Sequence, residues 1–220
     1  MPKVDEYINR GEFGKGGVAA NFDADFGPQW GMLKDETIKQ TSPSELYPIL
    51  DNAGAIFTPL SVSPGFNNPV TNQWVDDSDK KYILNGNNGV KLGLVGKDYN
   101  PKSHYDTLVG GFGELTGRGY IPTKVLNFDD GRKVMVIFFG GVETVADRLH
   151  KKYVAYYNAL DGSSTARFGG TDICVICRNT FARARRQIRE SGLSARHTAN
   201  MDVKLAEIRQ ELGLVEAEMG

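Results

Sequence analysis

Cysteine is nearly absent. Cys174 and Cys177 are the two in 220 residues, too few for a disulfide framework, which agrees with a reducing compartment. They are spaced as CxxC, but a zinc site needs further ligands, and His104, His150 and His197 are scattered. Three positions apart on a strand, the two sulfurs would face opposite ways. Both are therefore read as small buried hydrophobes, and no metal is expected. No apolar run approaches the roughly 20 residues that cross a bilayer, so no membrane partner is expected. The opening MPKVDEYINRGEFGKGG lacks a positive-then-apolar leader, which points to the cytoplasm.

Catalytic signatures are missing as well. The chain has no GxSxG, no HExxH and no carboxylate cluster around a histidine. The Gly-rich GGFGELTGRGY (110–120) lacks the Gly-Lys-Ser/Thr of a phosphate loop and a following crossover helix. It is read as a flexible approach to a hairpin. Asp129 and Asp130 fall in a turn, where Asp is expected for backbone reasons. No cofactor is implied and the chain is not read as an enzyme. An unannounced activity would show itself by its loss on changing Asp130 or His197.

What is present is ordinary soluble composition, 40% hydrophobic and 24% charged, with an uneven distribution of charge. Residues 1–80 hold twelve Asp/Glu and six Lys/Arg; residues 178–197 hold six Arg and one Glu. The overall charge of -1 conceals an acidic start and a basic region near the end. Such polarity suits a polyanion partner, and equally subunits that meet acidic face to basic face.

Pattern predicts an α+β fold, an antiparallel hairpin sheet backed by helices. Residues 1–30 read as a loosely ordered arm, 31–198 as the main domain and 199–220 as a C-terminal amphipathic helix. Ser42-x-x-Glu45 with Pro43 opens a short helix made irregular by Pro48. Residues 55–65 look extended, and 81–96 form a hairpin around Asn-Gly-Asn-Asn-Gly. Ser103 and Asp106 start a second helix, which Gly110-Gly111 would end. YIPTKVLNF, DDGR and KVMVIFFGG make one hairpin; KKYVAYYNAL, DGSS, TARFGG and TDICVIC make another. Four or five strands then feed a helix, CRNTFARARRQIRESG (177–192), capped by Asn179 or Thr180 and ended by Gly192. A last helix, about 199–217, carries Met201, Leu205, Ile208 and Leu212 on one stripe.

The arginine helix is the candidate site. Phe181, Ala184 and Ile188 share its apolar face, while Arg183, Arg185, Arg186 and Arg189 fan over the other side. With Arg178 they suit planar, bidentate contact with phosphate. Acids at helical spacing are nearly absent, so the charge is not neutralised locally. Arg132, Lys133, Lys151, Lys152 and Arg167, at turns and strand starts, are expected to line the same groove as the helix arginines, with Arg118 nearby. A phosphate ligand, an acidic partner or subunit, and a solvated surface are all compatible with this pattern. If the ligand is nucleic acid, Tyr153 and Tyr156, with Tyr157, could stack on bases; otherwise they pack a core or an interface.

Several stretches resemble a family of phage- and plasmid-type proteins of unknown function. They are PQWGML (28–33), KYILNGNNGVKLGLVGKDYNPKSHYDTL, YYNALDGSSTARFGGTDICVICRNTFARA and ARHTANMDVKLAEIRQELGLV. The likeness is strongest at DGSSTARF, VICRNT and RHTAN. It implies a phage, prophage or plasmid setting, hence a host cytoplasm, and little chemistry. The order of elements, hairpin strands feeding a basic helix, is similar to the β-β-β-α core of single-strand annealing recombinases of the Redβ, RecT and Erf type. That resemblance implies a protein that binds single-stranded DNA by its backbone and anneals strands without nucleotide hydrolysis, working as a homo-oligomeric ring or filament. The other reading is a structural or interaction protein whose arginine helix contacts acidic subunits.

Overall fold

The computed structural model describes residues 18–21, 43–77, 79–145, 148–173 and 178–214. Along these run β1 (Val18–Asn21), α1 (Pro43–Asn52), β2 (Pro59–Val62), β3 (Gly65–Asn67), β4 (Trp74–Asp76), β5 (Lys80–Asn85) and β6 (Lys91–Gly96). Then come α2 (His104–Gly117), β7 (Ile121–Phe128), β8 (Lys133–Val145), β9 (Arg148–Ala159), β10 (Ala166–Thr171), α3 (Arg178–Ser191), β11 (Leu193–Ala195) and α4 (Met201–Leu214). The fold is mixed α+β, as the pattern predicts.

The main sheet has six strands in the order β1-β7-β8-β9-β10-β11, every neighbour antiparallel. The hairpins β7–β8 and β9–β10 are its centre. Asp129 (φ 52°) and Asp130 (φ 56°) both take positive φ in the first turn, the twist that tight hairpins favour. Two strands join at the edges beyond the expected set. One is β11; the other, β1, belongs to the expected N-terminal arm, the rest of which lies outside the described residues.

Alternation along the strands decides what covers each face. Val134, Val136, Phe138, Tyr156 and Phe168 pack under α1, α2 and α4, against Leu50, Leu108, Phe112, Met201 and Leu205. Met135, Ile137, Phe139, Tyr153, Ala155 and Tyr157 face the other way, against Ala184 and Ile188 of α3. With both faces covered, the strands read as continuous apolar runs. Fully burying a side chain such as Phe112 or Ile188 contributes about 1.5–3 kcal/mol.

Two corrections concern glycine. Helix α2 starts where expected, with the Ser103 hydroxyl accepting from the Asp106 amide at 3.0 Å, but it does not stop at Gly110-Gly111. It continues to Gly117, so 110–120 is mostly helix and not a hairpin approach. These glycines serve close packing: a Cβ at Gly111 would lie 2.5 Å from the Phe168 ring, and one at Gly110 would meet the Arg209 guanidinium. Likewise β10 ends at Thr171, short of the expected TDICVIC strand, and Cys174 and Cys177 lie outside the described residues. Helix α3 already includes Asn179 and Thr180, so neither is its cap.

A smaller sheet, β2-β5-β6, packs Phe57, Ile83, Leu92 and Val95 on Leu160. It carries the loop after β6 to the β9–β10 turn. A Cβ at Gly93 would sit 2.5 Å from the Asp161 Cα. No helix among the described residues is long and apolar enough to cross a membrane.

Candidate functional site, an arginine cleft

Helix α3 sits on the sheet by the stripe its sequence predicts. Ala184 and Ile188 are buried, and the Phe181 ring lies 4.8 Å from Phe128 and 6.0 Å from Tyr157. Arg185 and Arg189, one helical turn apart, flank that stripe. On β10, Arg167 is in register with Tyr157, on the sheet face that α3 covers. Arg196 directly follows β11, whose Ala195 pairs with Ala166 of β10. Four arginines from three places in the chain thus line one cleft of about 540 Å³. Asp98 and Tyr99 from the loop after β6, the turn residues Gly162 to Thr165, and His197 complete its wall.

The charge of this cleft is not neutralised from within. None of Arg167, Arg185, Arg189 and Arg196 is ion-paired among the described residues, and Asp98 is the carboxylate on the wall. Asp161, at the base of the turn, is committed to Lys133 at 3.2 Å. Burial alone would raise the Asp161 pKa; hydrogen bonds from Ser163 and the charge of Lys133 outweigh it and hold the carboxyl below its usual range. Burial, then the charges of Arg189 and Arg185, pull the Arg167 pKa down, the mark of like charges crowded together. The Arg185 guanidinium lies over the Tyr157 ring, 5.2 Å from its centroid. Burial pushes the Tyr157 phenol up to about 12, against the opposing pull of Arg185.

Beneath the cleft runs a buried polar chain. His104 Nε2 is 2.7 Å from the Gly131 carbonyl, which only accepts, so Nε2 carries the hydrogen. Burial lowers the His104 pKa to about 4, so the ring is neutral near pH 7 and its Nδ1 is an acceptor. The Asn158 amide Nδ2 donates to that Nδ1 at 3.1 Å. The Asn158 Oδ1 must then face His197, and His197 Nε2 donates to it at 2.7 Å. Burial, with a smaller contribution from His104, lowers the His197 pKa to about 4. Its Nδ1 is therefore a bare lone pair.

That lone pair has no partner. Tyr157 OH, Thr165 Oγ1 and His197 Nδ1 are three of the four buried side-chain polar atoms without a hydrogen bond among the described residues. All three residues line the cleft. A buried polar atom left unsatisfied costs about 1–3 kcal/mol, so three around one cleft point to a site built for a ligand.

The expected site residues divide. Arg167, Arg185 and Arg189 come together. Arg183 and Arg186 are exposed away from the cleft, and Arg186 is tied to Glu190 at 2.8 Å. Arg178 begins α3, but its side chain lies outside the described residues. Arg132 reaches the Lys91 carbonyl at 3.3 Å, and Lys133 is taken by Asp161. Lys151 and Lys152 stand opposite Val142 and Gly141; Lys152 is about 17 Å along β9 from Tyr157 at the rise of a strand. They do not share the groove assigned to them. Nor can Tyr153 and Tyr156 stack on bases: both are buried, Tyr153 against Phe139 and Tyr156 against Phe168. Tyr157 is buried too.

Sequence reasoning missed Arg196 and Tyr99 as site residues, and it weighed His197 only for an unannounced activity. A signal was present. DGSSTARF and RHTAN, two of the stretches singled out in the sequence, meet at this cleft through the β10–β11 pairing. No curated protein and no solved structure matches the chain. A family match spans residues 91–220, more than half of the chain, and includes every residue that lines the cleft. The chain belongs to the family described as Domain of unknown function (DUF932).

Proposed function

We propose that this protein binds single-stranded DNA by its sugar–phosphate backbone in the arginine cleft and promotes the annealing of complementary strands without nucleotide hydrolysis. One observation carries the reading: four guanidinium groups converge on one cleft with no ion-pairing carboxylate among the described residues. Arginine forks match phosphate oxygens in planar, bidentate contacts. Contacts confined to backbone leave base edges free for a second strand. The sequence of hairpin strands followed by a basic helix supports annealing by its similarity to phage recombinases. In this reading the protein works as a homo-oligomer in the cytoplasm of a phage- or plasmid-bearing cell.

Fluorescence anisotropy with a labelled oligonucleotide at rising salt tests it. Four neutralised phosphates give log Kd a slope against log salt of about 3 for a single strand. A flat response, or no binding at low salt, rejects the reading.

The interaction-protein reading keeps one observation of its own. The β3–β4 ribbon exposes Phe66 and Trp74 beside Asp76 and Asp77, an apolar and acidic surface that could meet the arginines of a second copy. It predicts oligomers without nucleic acid, dispersed by Arg185→Glu with Arg189→Glu. Mass photometry of the native chain and this double variant, set beside the anisotropy titration, separates the two: here the oligomers disperse and no oligonucleotide binds.

A further inference from the structure

We infer that the arginine cleft is a site for one sugar–phosphate unit with a free hydroxyl, in which the guanidinium groups hold the phosphate and His197 Nδ1 accepts a hydrogen bond from the sugar. The inference rests on the cleft being a phosphate site. It goes beyond backbone binding by naming the ligand, a mononucleotide or the 3′-terminal nucleotide of a strand.

The chemistry of the unpartnered atoms selects this ligand. His197 Nδ1 is a pure acceptor, because the Gly131 carbonyl fixes the His104 ring, that ring fixes the Asn158 amide, and the amide fixes His197. The phosphate of a mononucleotide, fully ionised as a monoester dianion, offers no hydrogen to such an acceptor. A sugar hydroxyl does, and it lies a few bonds from the phosphate it accompanies. Tyr157 OH and Thr165 Oγ1, also unpartnered, can donate to phosphate or accept from a second hydroxyl. The cleft volume of about 540 Å³ suits a small-molecule ligand.

His197 Nδ1 is buried although its residue lines the cleft, so a ligand reaches it only by displacing a neighbouring side chain. The Tyr99 ring lies 4.9 Å from the His197 ring, and Arg185 lies over Tyr157. Arg185 is itself a phosphate hook, so drawing its guanidinium onto an anion uncovers the face of the Tyr157 ring. An internal phosphodiester of a long strand has no free 3′-hydroxyl, so it can engage the guanidinium groups but leaves the His197 acceptor unfilled, which only a strand end or a monomer fills.

The test uses the full chain labelled with ¹⁵N in histidine. It is titrated with inorganic phosphate, 2′-deoxyadenosine 5′-monophosphate and 2′,3′-dideoxyadenosine 5′-monophosphate, followed by calorimetry and by the ring-nitrogen resonances. The free protein is expected to show His197 Nδ1 unprotonated. The deoxynucleotide moves that resonance and binds about 5- to 10-fold more tightly than the dideoxynucleotide, the size of one hydrogen bond. The dideoxynucleotide, which has neither a 3′-hydroxyl nor a hydrogen on its phosphate dianion, leaves the resonance in place, and inorganic phosphate reports binding at the guanidinium groups. His197→Phe, which keeps a ring against Tyr99, abolishes the preference; should that variant fail to fold, the comparison of ligands on the native chain still decides. Equal affinity for the two nucleotides, or no nucleotide binding, overturns the inference. Salt-dependent oligonucleotide binding without any hydroxyl preference would leave the backbone reading standing and this one refuted. Nucleotide discrimination without oligonucleotide binding would do the reverse.

Discussion

Asn158 and His197 are joined by a 2.7 Å hydrogen bond in which the imidazole donates and the amide oxygen accepts. Its direction is dictated from the β7–β8 turn, where the Gly131 carbonyl claims the hydrogen of His104. A main-chain group at one end of the sheet thus sets which nitrogen of His197 is bare in the cleft.

Removing the amide should therefore cost more than one bond. Asn158→Leu is nearly isosteric but leaves His104 Nδ1 and His197 Nε2 unsatisfied and buried. At about 1–3 kcal/mol for each orphan, the variant should lose about 2–6 kcal/mol in a urea titration. A loss under 1 kcal/mol would show that the chain of bonds does not organise this part of the core.

Acid should weaken the fold through the same imidazoles. Both pKa values are lowered in the folded state, from an ordinary 6.5 to about 4, so the unfolded chain takes up protons first as pH falls. Stability from these groups is undiminished above pH 6.5, declines between pH 6.5 and 4, and levels off once the folded protein also protonates. A shift of this size corresponds to roughly 3 kcal/mol for each group. Urea midpoints measured from pH 7.5 to 4.5 should fall steadily, and the fall should shrink in His197→Phe. Midpoints independent of pH would contradict it.

The cleft and the exposed fan of arginines separate by mutation. Arg189→Ala and Arg196→Ala should each weaken oligonucleotide binding about 5- to 10-fold and lower the salt slope by about 0.7. Arg183→Ala, Arg186→Ala and the pair Lys151→Ala with Lys152→Ala should change affinity less than 2-fold. Equal losses at all of these positions would mean that diffuse charge, and not the cleft, binds the strand.

Neighbouring glycines of α2 should respond with opposite sign. Gly111→Ala drives a methyl into the rigid Phe168 ring, and overpacking of this kind costs about 1–3 kcal/mol. At Gly110 the neighbour is the guanidinium of Arg209, which can swing aside. Alanine there recovers up to about 1 kcal/mol of helix propensity, so the net effect should be neutral or stabilising. Thermal melts of the two variants decide; a stabilised Gly111→Ala would show that α2 is seated further from the sheet.

Local pattern carried much of the fold. The apolar stripe of Phe181, Ala184 and Ile188, the stripe of Met201, Leu205 and Ile208, the Ser103–Asp106 cap and the hairpin turns are set by interactions within a few residues, and all appear in the structure. The reading failed where a distant partner decides. Gly110 and Gly111 look like a helix end until Phe168 and Arg209 arrive against them. Tyr153 and Tyr156 look available for stacking until the two faces of the sheet are covered. Arg132, Lys133, Lys151 and Lys152 look like one basic groove, but the register of β8 and β9 spreads them and Asp161 claims Lys133.

By itself the sequence determined an antiparallel hairpin sheet, a basic helix laid on it by a narrow apolar face, and a concentration of arginine near residue 190, because period and charge are properties of neighbours. Tertiary structure decided which arginines act together and what stands beside them. Pairing of β10 with β11 and the packing of β6 on the β9–β10 turn bring Arg167, Arg196, His197 and Tyr99 to Arg185 and Arg189. Contacts between residues so far apart in the chain arise only when the sheet closes around its core.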